Sequence, residues 1–426
     1  MTKNHFHILA AALLALASSC SGCFGCVPPG TGDGGNLPSS CQAVAPLVAA
    51  QKLDVLFVID NSGSMKEEQE GVARELTAFI DELKKGGGIA QDFHVGVITT
   101  AVYQHFLSNG VEAIKDYPAQ SGKLQPVPDS NPDGGGVLLG TGTERVLKGN
   151  DPQLIEKFAR LVQVGIKGSG QETPFEATRL ALYELDRIPL ENGGNGGFLR
   201  DGARLLIVNI TDEDDCSEKT RPSVVTIGEN WSIDYCLEQG NSLTTVSEYH
   251  RLFTEDLKDS VGNRREVIWT AIAPVARTNK AAMLVLDNGQ VRNIDCPTSN
   301  EPGFRHRMMA EKFDSSLINL DSICRDNYRE TLLSIAAQAN ITQTLEVRNV
   351  PDARMLQVIL TRKDLTSQTC TLSRGLSRYC STAGTCTSTK GPCTCTPSDT
   401  QKLFFGPDCK RRADDVKVDI KMLCVN

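Results

Sequence analysis

The chain has 426 residues, 40% hydrophobic and 23% charged, with a formal net charge of −8. This length accommodates two or more domains, and the composition is that of a folded globular protein. The acidic balance, with no basic patch interleaved with aromatics, excludes a general nucleic-acid binder.

Residues 1–20 read as a secretory signal. Lys3, His5 and His7 make a polar start, and Ile8 to Ala17 is an apolar core too short to span a bilayer. It ends in Ala17-Ser18-Ser19-Cys20, which resembles the lipobox of bacterial lipoproteins and implies Cys20 as the lipidated residue, although Ala17 stands where Leu is usual. Ordinary signal cleavage, with the nearby cysteines in disulfides, is the alternative. No later apolar stretch approaches spanning length, so attachment to a membrane is expected by a lipid anchor. The chain has 15 cysteines. Behind a signal peptide, that number reads as disulfides of an oxidising compartment.

Residues 21–52 are rich in Gly and Pro and read as a tether. Strands and helices then alternate over 53–345, which predicts an α/β fold with a doubly wound, mostly parallel sheet. Asp54 to Ile59 is a buried strand, Lys66 to Lys85 an amphipathic helix closed by Gly86-Gly87-Gly88, and Phe93 to Thr99 a second strand. Residues 103–150 are rich in turn formers and read as an insertion. Helices are predicted over Asp151 to Val164 and Pro174 to Arg187. The run Ala203 to Ile210 is a central parallel strand, and 213–245 a second insertion. A helix over Ser247 to Leu257, a strand over Glu266 to Ala273 and a helix over Asn327 to Ala339 follow. Residues 346–426 carry Cys370, Cys380, Cys386, Cys393, Cys395, Cys409 and Cys424. They read as a small disulfide-stapled region without enough apolar surface for its own core.

The motif that carries chemistry is Asp60-Asn61-Ser62-Gly63-Ser64, set directly after the first strand. One carboxylate and two hydroxyls in a tight loop are oxygen ligands for a hard divalent cation. Gly168-Ser169-Gly170-Gln171-Glu172-Thr173-Pro174 is a small-residue loop before a helix, and Asp212 ends the apolar strand Ile207 to Thr211. Asp-Xaa-Ser alone is common, because these residues also cap helices. Three such loops in order, each after a predicted strand or before a predicted helix, favour a cation site.

In that order and spacing the chain resembles the von Willebrand factor type A (VWA) family over roughly 54–340. The resemblance implies a metal-ion-dependent adhesion site with Asp60, Ser62, Ser64, Thr173 and Asp212 holding the cation. Mg²⁺ is favoured, with Ca²⁺ or Mn²⁺ as alternatives, and the expected partner is a protein that presents an Asp or Glu to the metal. The chain departs from the family at Glu213-Asp214-Asp215, where Gly is common. These acids are expected to be a solvated loop. Cys216 and Cys236 are a candidate disulfide restraining it, and Cys296 with Cys324 is another pair.

The enzymatic signatures of zinc proteases, serine hydrolases and phosphate-binding loops are missing: there is no His-Glu-Xaa-Xaa-His, Gly-Xaa-Ser-Xaa-Gly or Walker sequence. The expected function is therefore not enzymatic. It is a cation-dependent binding or adhesion module held on the bacterial cell envelope. The alternatives are a metal-assisted hydrolase, and a structural envelope lipoprotein that acts through its Cys-rich tail.

Overall fold

The structure, a computed structural model, describes residues 52–85, 92–108, 111–129, 143–219, 236, 242–260, 262, 264–348, 350–362, 364–396, 399–412 and 415–423. The signal, Cys20, the tether up to residue 51, Gly86-Gly87-Gly88 and Cys424 lie outside the described residues. Among those described, no helix is long and apolar enough to cross a membrane.

In chain order the first region runs β1 (Leu53–Ile59), α1 (Lys66–Lys85), β2 (Phe93–Thr99), β3 (Tyr103–Ser108), β4 (Val111–Asp116), β5 (Leu147–Lys148), α2 (Leu154–Leu161), α3 (Pro174–Arg179), β6 (Arg204–Ile210), α4 (Val246–Arg251), β7 (Val267–Ala273), β8 (Leu284–Asp287), β9 (Gln290–Asn293), α5 (Phe304–Phe313), β10 (Leu320–Ser322) and α6 (Arg329–Ala339). Six of these strands form one sheet in the order β10-β7-β6-β1-β2-β5. Every pairing in it is parallel except the short β2–β5 edge. The remaining sheets are all small and antiparallel, so the fold is α/β with mixed pairing.

The central sheet is covered on both faces, and the residue alternation along β1 explains how. Leu53, Val55, Phe57 and Ile59 point into a core shared with α1, α2 and α6. Leu56 and Val58 point the other way, into a core shared with α3, α4 and α5. Burial on both sides is why β1 and β6 read as largely apolar runs, Asp54, Arg204 and Asn209 aside. On the first face, the Phe57 ring meets Phe79 and Phe158 edge-on at 5.5 and 5.1 Å between centroids. Such pairs contribute about 0.5–1.5 kcal/mol beyond their buried area.

Several expected helices are shorter than read. Two of them, α3 and α4, end in π turns over Leu180–Glu184 and Leu252–Asp256, closed by i→i+5 bonds from Leu185 N to Leu180 O (2.9 Å) and Leu257 N to Leu252 O (3.1 Å). Part of the expected insertion at 103–150 is ordered as the β3–β4 hairpin. The β8–β9 hairpin, α5 and β10 were not anticipated from sequence.

His306, on α5, is fully buried. Its ring lies 5.4 Å from that of Phe175 and 6.2 Å from that of Trp269, and neither ring nitrogen has a hydrogen-bond partner among the described residues. Burial lowers its pKa to about 4. The unfolded chain therefore takes up the proton first as pH falls below about 6.5. The stability held by the neutral ring is complete above that pH and is lost progressively down to about 4, a loss on the order of 3 kcal/mol. His306→Leu should reduce the drop in urea-unfolding free energy between pH 7 and pH 4 by that order. An unchanged drop would show that the ring is not buried neutral.

The C-terminal region corrects the expectation that it lacks a core. It contains β11 (Thr344–Glu346), β12 (Leu356–Arg362), β13 (Ser367–Thr371), β14 (Leu376–Thr382), β15 (Thr385–Thr387), β16 (Lys402–Phe405) and β17 (Asp415–Met422). These form a three-stranded and a four-stranded sheet. Leu345, Val347, Leu356, Val358, Leu360, Leu376, Tyr379, Leu403 and Ile420 pack between them as a separate cluster. Disulfides Cys370–Cys409, Cys380–Cys395 and Cys386–Cys393 staple it. The alternating burial of β12 shows the reason: one apolar face per strand is enough when two small sheets share it.

Candidate metal centre

Strand β1 is flanked by β2 on one side and β6 on the other, so successive connections leave it in opposite directions. In open α/β sheets the crevice beyond the carboxyl ends at such a point is where ligands bind. Asp60 follows β1 and Asp212 follows β6 at that end. The backbone joins them through Asp60 N donating to Ile210 O at 2.9 Å.

Each candidate residue sits in this crevice. Asp60 Oδ1 accepts from Ser62 N at 2.7 Å, and Asp60 Oδ2 accepts from Thr211 Oγ1 at 2.7 Å. The Ser62 and Ser64 hydroxyl oxygens lie 3.1 Å apart. Asn300 Nδ2 donates to Ser64 Oγ at 3.0 Å and to Asp212 Oδ2 at 3.2 Å, linking the first loop to the third. Thr173 stands at the amino end of α3 but makes no side-chain cap. Its hydroxyl instead donates to Thr100 O at 2.7 Å, and Thr100 N donates to Ile59 O at 3.3 Å, which places the second loop against the end of β1. With that proton committed, the Thr173 oxygen keeps its lone pairs as an acceptor.

The second loop lies close to the first. Gly168 N donates to Asn61 O at 2.7 Å. A Cβ at Gly168 would lie 2.8 Å from the Asn61 carbonyl oxygen and 2.1 Å from its side-chain Oδ1, so glycine permits this approach. Gln69 on α1 ties the two loops together, donating to Asp60 O and Gly165 O at 2.9 Å each.

Charge is the feature that sets the crevice apart. Asp60, Glu172 and Asp212 are 0%, 1% and 0% exposed. Their hydrogen-bond partners are hydroxyls and amides rather than cations. Burial pushes all three carboxyl pKa values up, and for Glu172 and Asp212 the Asp60 charge pushes further. Among the described residues, Asp212 Oδ1 and Glu172 Oε1 are buried without a hydrogen-bond partner. Buried carboxylates are normally paired or bound to a metal. The orphaned Asp212 oxygen, the Asp60 carboxylate and the Ser62 and Ser64 hydroxyls are donors of the kind a hard cation takes, while among the described residues Asp60, Glu172 and Asp212 do not each bring an oxygen within 4.8 Å of the others. The donor set therefore suits the group that the sequence pattern implies.

The acidic run after Asp212 is not a solvated loop, contrary to the sequence reading. Asp214 and Asp215 are 2% and 0% exposed. Asp214 accepts from Arg305 N at the start of α5 (2.9 Å), and Asp215 accepts from Phe175 N at the start of α3 (3.1 Å). Asp215 also pairs with Arg305 Nε at 2.9 Å. They are helix-capping acids, where a carboxylate meets unpaired N–H groups and the positive end of the helix dipole. The Cys216–Cys236 pair is joined, and Cys216 N donates to Glu172 O at 2.7 Å, which fixes the third loop to the second. Cys296 and Cys324 are also joined.

Sequence reasoning missed Asn300, Glu172, Thr100 and Thr211. Glu172 was visible inside the second loop beside Thr173. Nothing local marks Asn300, which arrives from a connection far along the chain.

No family model matches the sequence, and no curated protein matches it. Among solved structures, the chain is similar to proximal thread matrix protein 1 from the mussel byssus, at 12% identity and a TM-score of 0.32, covering 68% of this chain and 48% of that one. It is also similar to the pilus adhesin SpaC from Lactobacillus rhamnosus GG, at 10% identity and a TM-score of 0.34 over 88% of this chain and 40% of that one. A third is the pilus adhesin RrgA from Streptococcus pneumoniae, at 10% identity and a TM-score of 0.29 over 89% and 57%. The chain thus spans less than two thirds of each of these proteins. Likenesses this distant carry no argument for its function.

Proposed function

We propose that the chain is a cation-dependent protein-binding module of the VWA type, with a doubly wound sheet and a metal-ion-dependent adhesion site. Asp60, Ser62, Ser64, Thr173 and Asp212 would hold a divalent cation, Mg²⁺ before Ca²⁺ or Mn²⁺. The observation that carries this reading is the pair of fully buried carboxylates, Asp60 and Asp212, at the carboxyl ends of neighbouring parallel strands, with Asp212 Oδ1 unpartnered. When bound, the cation supplies a positive centre that accepts an oxygen ligand from another molecule. The chain's own residues do the rest. Ser62, Ser64 and Thr173 offer neutral oxygens, Thr211 and Gln69 fix the Asp60 loop, and Asn300 fixes Ser64 against Asp212.

The partner would be a protein presenting Asp or Glu, met at the cell envelope or cell surface, with this chain anchored through Cys20. Adhesion is the reading because the donors gathered beside Asp60 and Asp212 are oxygens of the kind that hold a divalent ion.

The test is association with envelope proteins in Mg²⁺ against chelator. Asp60→Ala and Thr173→Ala should each abolish the Mg²⁺-dependent part while circular dichroism shows a folded chain. Association that survives either substitution, or chelation, would remove the metal from the contact.

A further inference from the structure

The C-terminal region gathers four sulfurs in one place. Cys380 in β14 and Cys386 in β15 stand directly opposite each other across the antiparallel pair. Each is bonded instead to the loop that follows, Cys380 to Cys395 and Cys386 to Cys393. The Sγ atoms of Cys380, Cys386 and Cys395 all lie within 4.8 Å of one another. The two disulfides differ in access. Cys380 and Cys395 are 0% and 9% exposed, whereas Cys386 and Cys393 are half-buried. Gly384 N, in the turn between β14 and β15, donates to Cys395 O at 3.0 Å and keeps the loop against the hairpin. The remaining disulfide of this region, Cys370–Cys409, is buried, and among the described residues no third cysteine joins it in such a group.

We propose that these four cysteines form a thiol–disulfide relay. An external dithiol, of the class carried by thiol–disulfide oxidoreductases, reduces the outer Cys386–Cys393 bond, and Cys386 then passes the exchange to the buried Cys380–Cys395 bond. In the first step one thiolate of the dithiol attacks Cys393 Sγ and Cys386 leaves as a thiolate. The second thiol of the dithiol then releases Cys393. Two electrons have passed to the outer bond, and the dithiol ends as a disulfide. In the second step the Cys386 thiolate attacks Cys380 Sγ. The Cys380–Cys386 bond forms, the Cys380–Cys395 bond breaks, and Cys395 takes the electron pair and then a proton. This step exchanges bonds with no net oxidation.

The geometry favours that direction of attack. Opposed residues of an antiparallel pair have Cα atoms about 4.5–5.5 Å apart, inside the range of about 4.4–6.8 Å that a disulfide spans. A Cys380–Cys386 bond therefore needs no movement of the strands. Burial in apolar surroundings raises a thiol's pKa, and the thiol of lower pKa leaves faster. Cys395, on the loop, is the less buried of the inner pair and so the better leaving group. The exchange replaces a strand-to-loop link by a strand-to-strand link. It frees Cys393-Thr394-Cys395 as a dithiol, so reduction at the surface becomes release of a loop.

The test is graded reduction of the full chain with dithiothreitol, followed by acid quenching, alkylation of free thiols and mapping of linked peptides by mass spectrometry. As the Cys386–Cys393 link is lost, a Cys380–Cys386 link should appear, with Cys393 and Cys395 alkylated. Cys370 and Cys409 should show no new partner. A map in which Cys380–Cys395 persists while Cys386 and Cys393 are both alkylated overturns the relay. Rates give a second reading. An internal thiol beside its target acts at an effective concentration far above that of a dissolved reductant, so combining Cys386→Ser with Cys393→Ser should slow loss of the Cys380–Cys395 bond about 10-fold or more. Loss at the wild-type rate in a folded double variant overturns the role of Cys386. Should the double variant not fold, the wild-type map decides alone.

Discussion

Asp60→Ala is expected to erase the stabilisation that Mg²⁺ confers on this chain. A ligand that binds only the folded state stabilises it by about 2.7 kcal/mol when its concentration is 100 times Kd. The wild type should therefore unfold at a higher urea concentration in excess Mg²⁺ than in chelator, and the variant should unfold at the same concentration in both. Asp60 is the residue of choice because both of its oxygens are organised from within the site: one holds the loop through Ser62 N, the other reaches the third loop through Thr211. Its removal takes away a charge and the reference point for two loops. In chelator the variant should lose less than a buried-acid deletion usually costs, since the Asp60 charge also disfavours the ionised forms of Glu172 and Asp212. A Mg²⁺-dependent gain of equal size in both proteins would mean that the ion binds elsewhere.

The second large effect is expected far from the metal, at the opposite end of the sheet. Asp54, in β1, is 0% exposed, and burial holds its carboxyl above the usual range despite the neighbouring cation. That cation is Arg200. Its Nε donates to Asp54 Oδ1 at 2.7 Å and its backbone N to Asp54 Oδ2 at 2.8 Å. The same guanidinium donates to Leu53 O at 2.9 Å, to Asp92 O at 3.1 Å and to the Asp92 carboxylate. Arg200 thus clamps the starts of β1 and β2 and the turn that leads into β6. Removing one partner of a buried pair costs about 3–5 kcal/mol, because the other charge is left without compensation. Arg200→Ala should lose that much in urea unfolding. Arg200→Met combined with Asp54→Leu should recover most of it, since well-packed apolar replacements of buried pairs are close to neutral. A loss below about 1 kcal/mol for Arg200→Ala would place the pair in the class of solvated surface contacts.

The parts of the molecule legible in sequence share one property: their signal is local. Leu53 to Ile59 and Arg204 to Ile210 could be read as strands because burial on both faces leaves them mostly apolar, with Asp54, Arg204 and Asn209 the polar positions. The three loops could be read because each follows such a strand or precedes a helix, and their residues prove to be neighbours. What escaped depends on contacts distant in the chain. Asn300 reaches Ser64 across 236 positions and Asp212 across 88. Asp214 and Asp215 look like a solvated acidic run until α3 and α5 bring their N–H groups over them. Glu172 was in view, but its burial and its orphaned oxygen are properties of the assembled crevice. The tail was misjudged for another reason. Its crowded cysteines drew attention from the alternation in Leu356–Arg362, which puts Leu356, Val358 and Leu360 on one buried face.

The claim on which the rest depends is that Asp60, Ser62, Ser64, Thr173 and Asp212 surround one divalent ion. Crystals of the full chain grown in excess Mn²⁺ test it directly through anomalous scattering. The account predicts a single strong peak in the crevice between the Asp60 and Asp212 carboxylates, with hydroxyl oxygens of the first loop among its ligands. An empty crevice under those conditions, with Asp60 and Asp212 kept as neutral acids by protons alone, would contradict it.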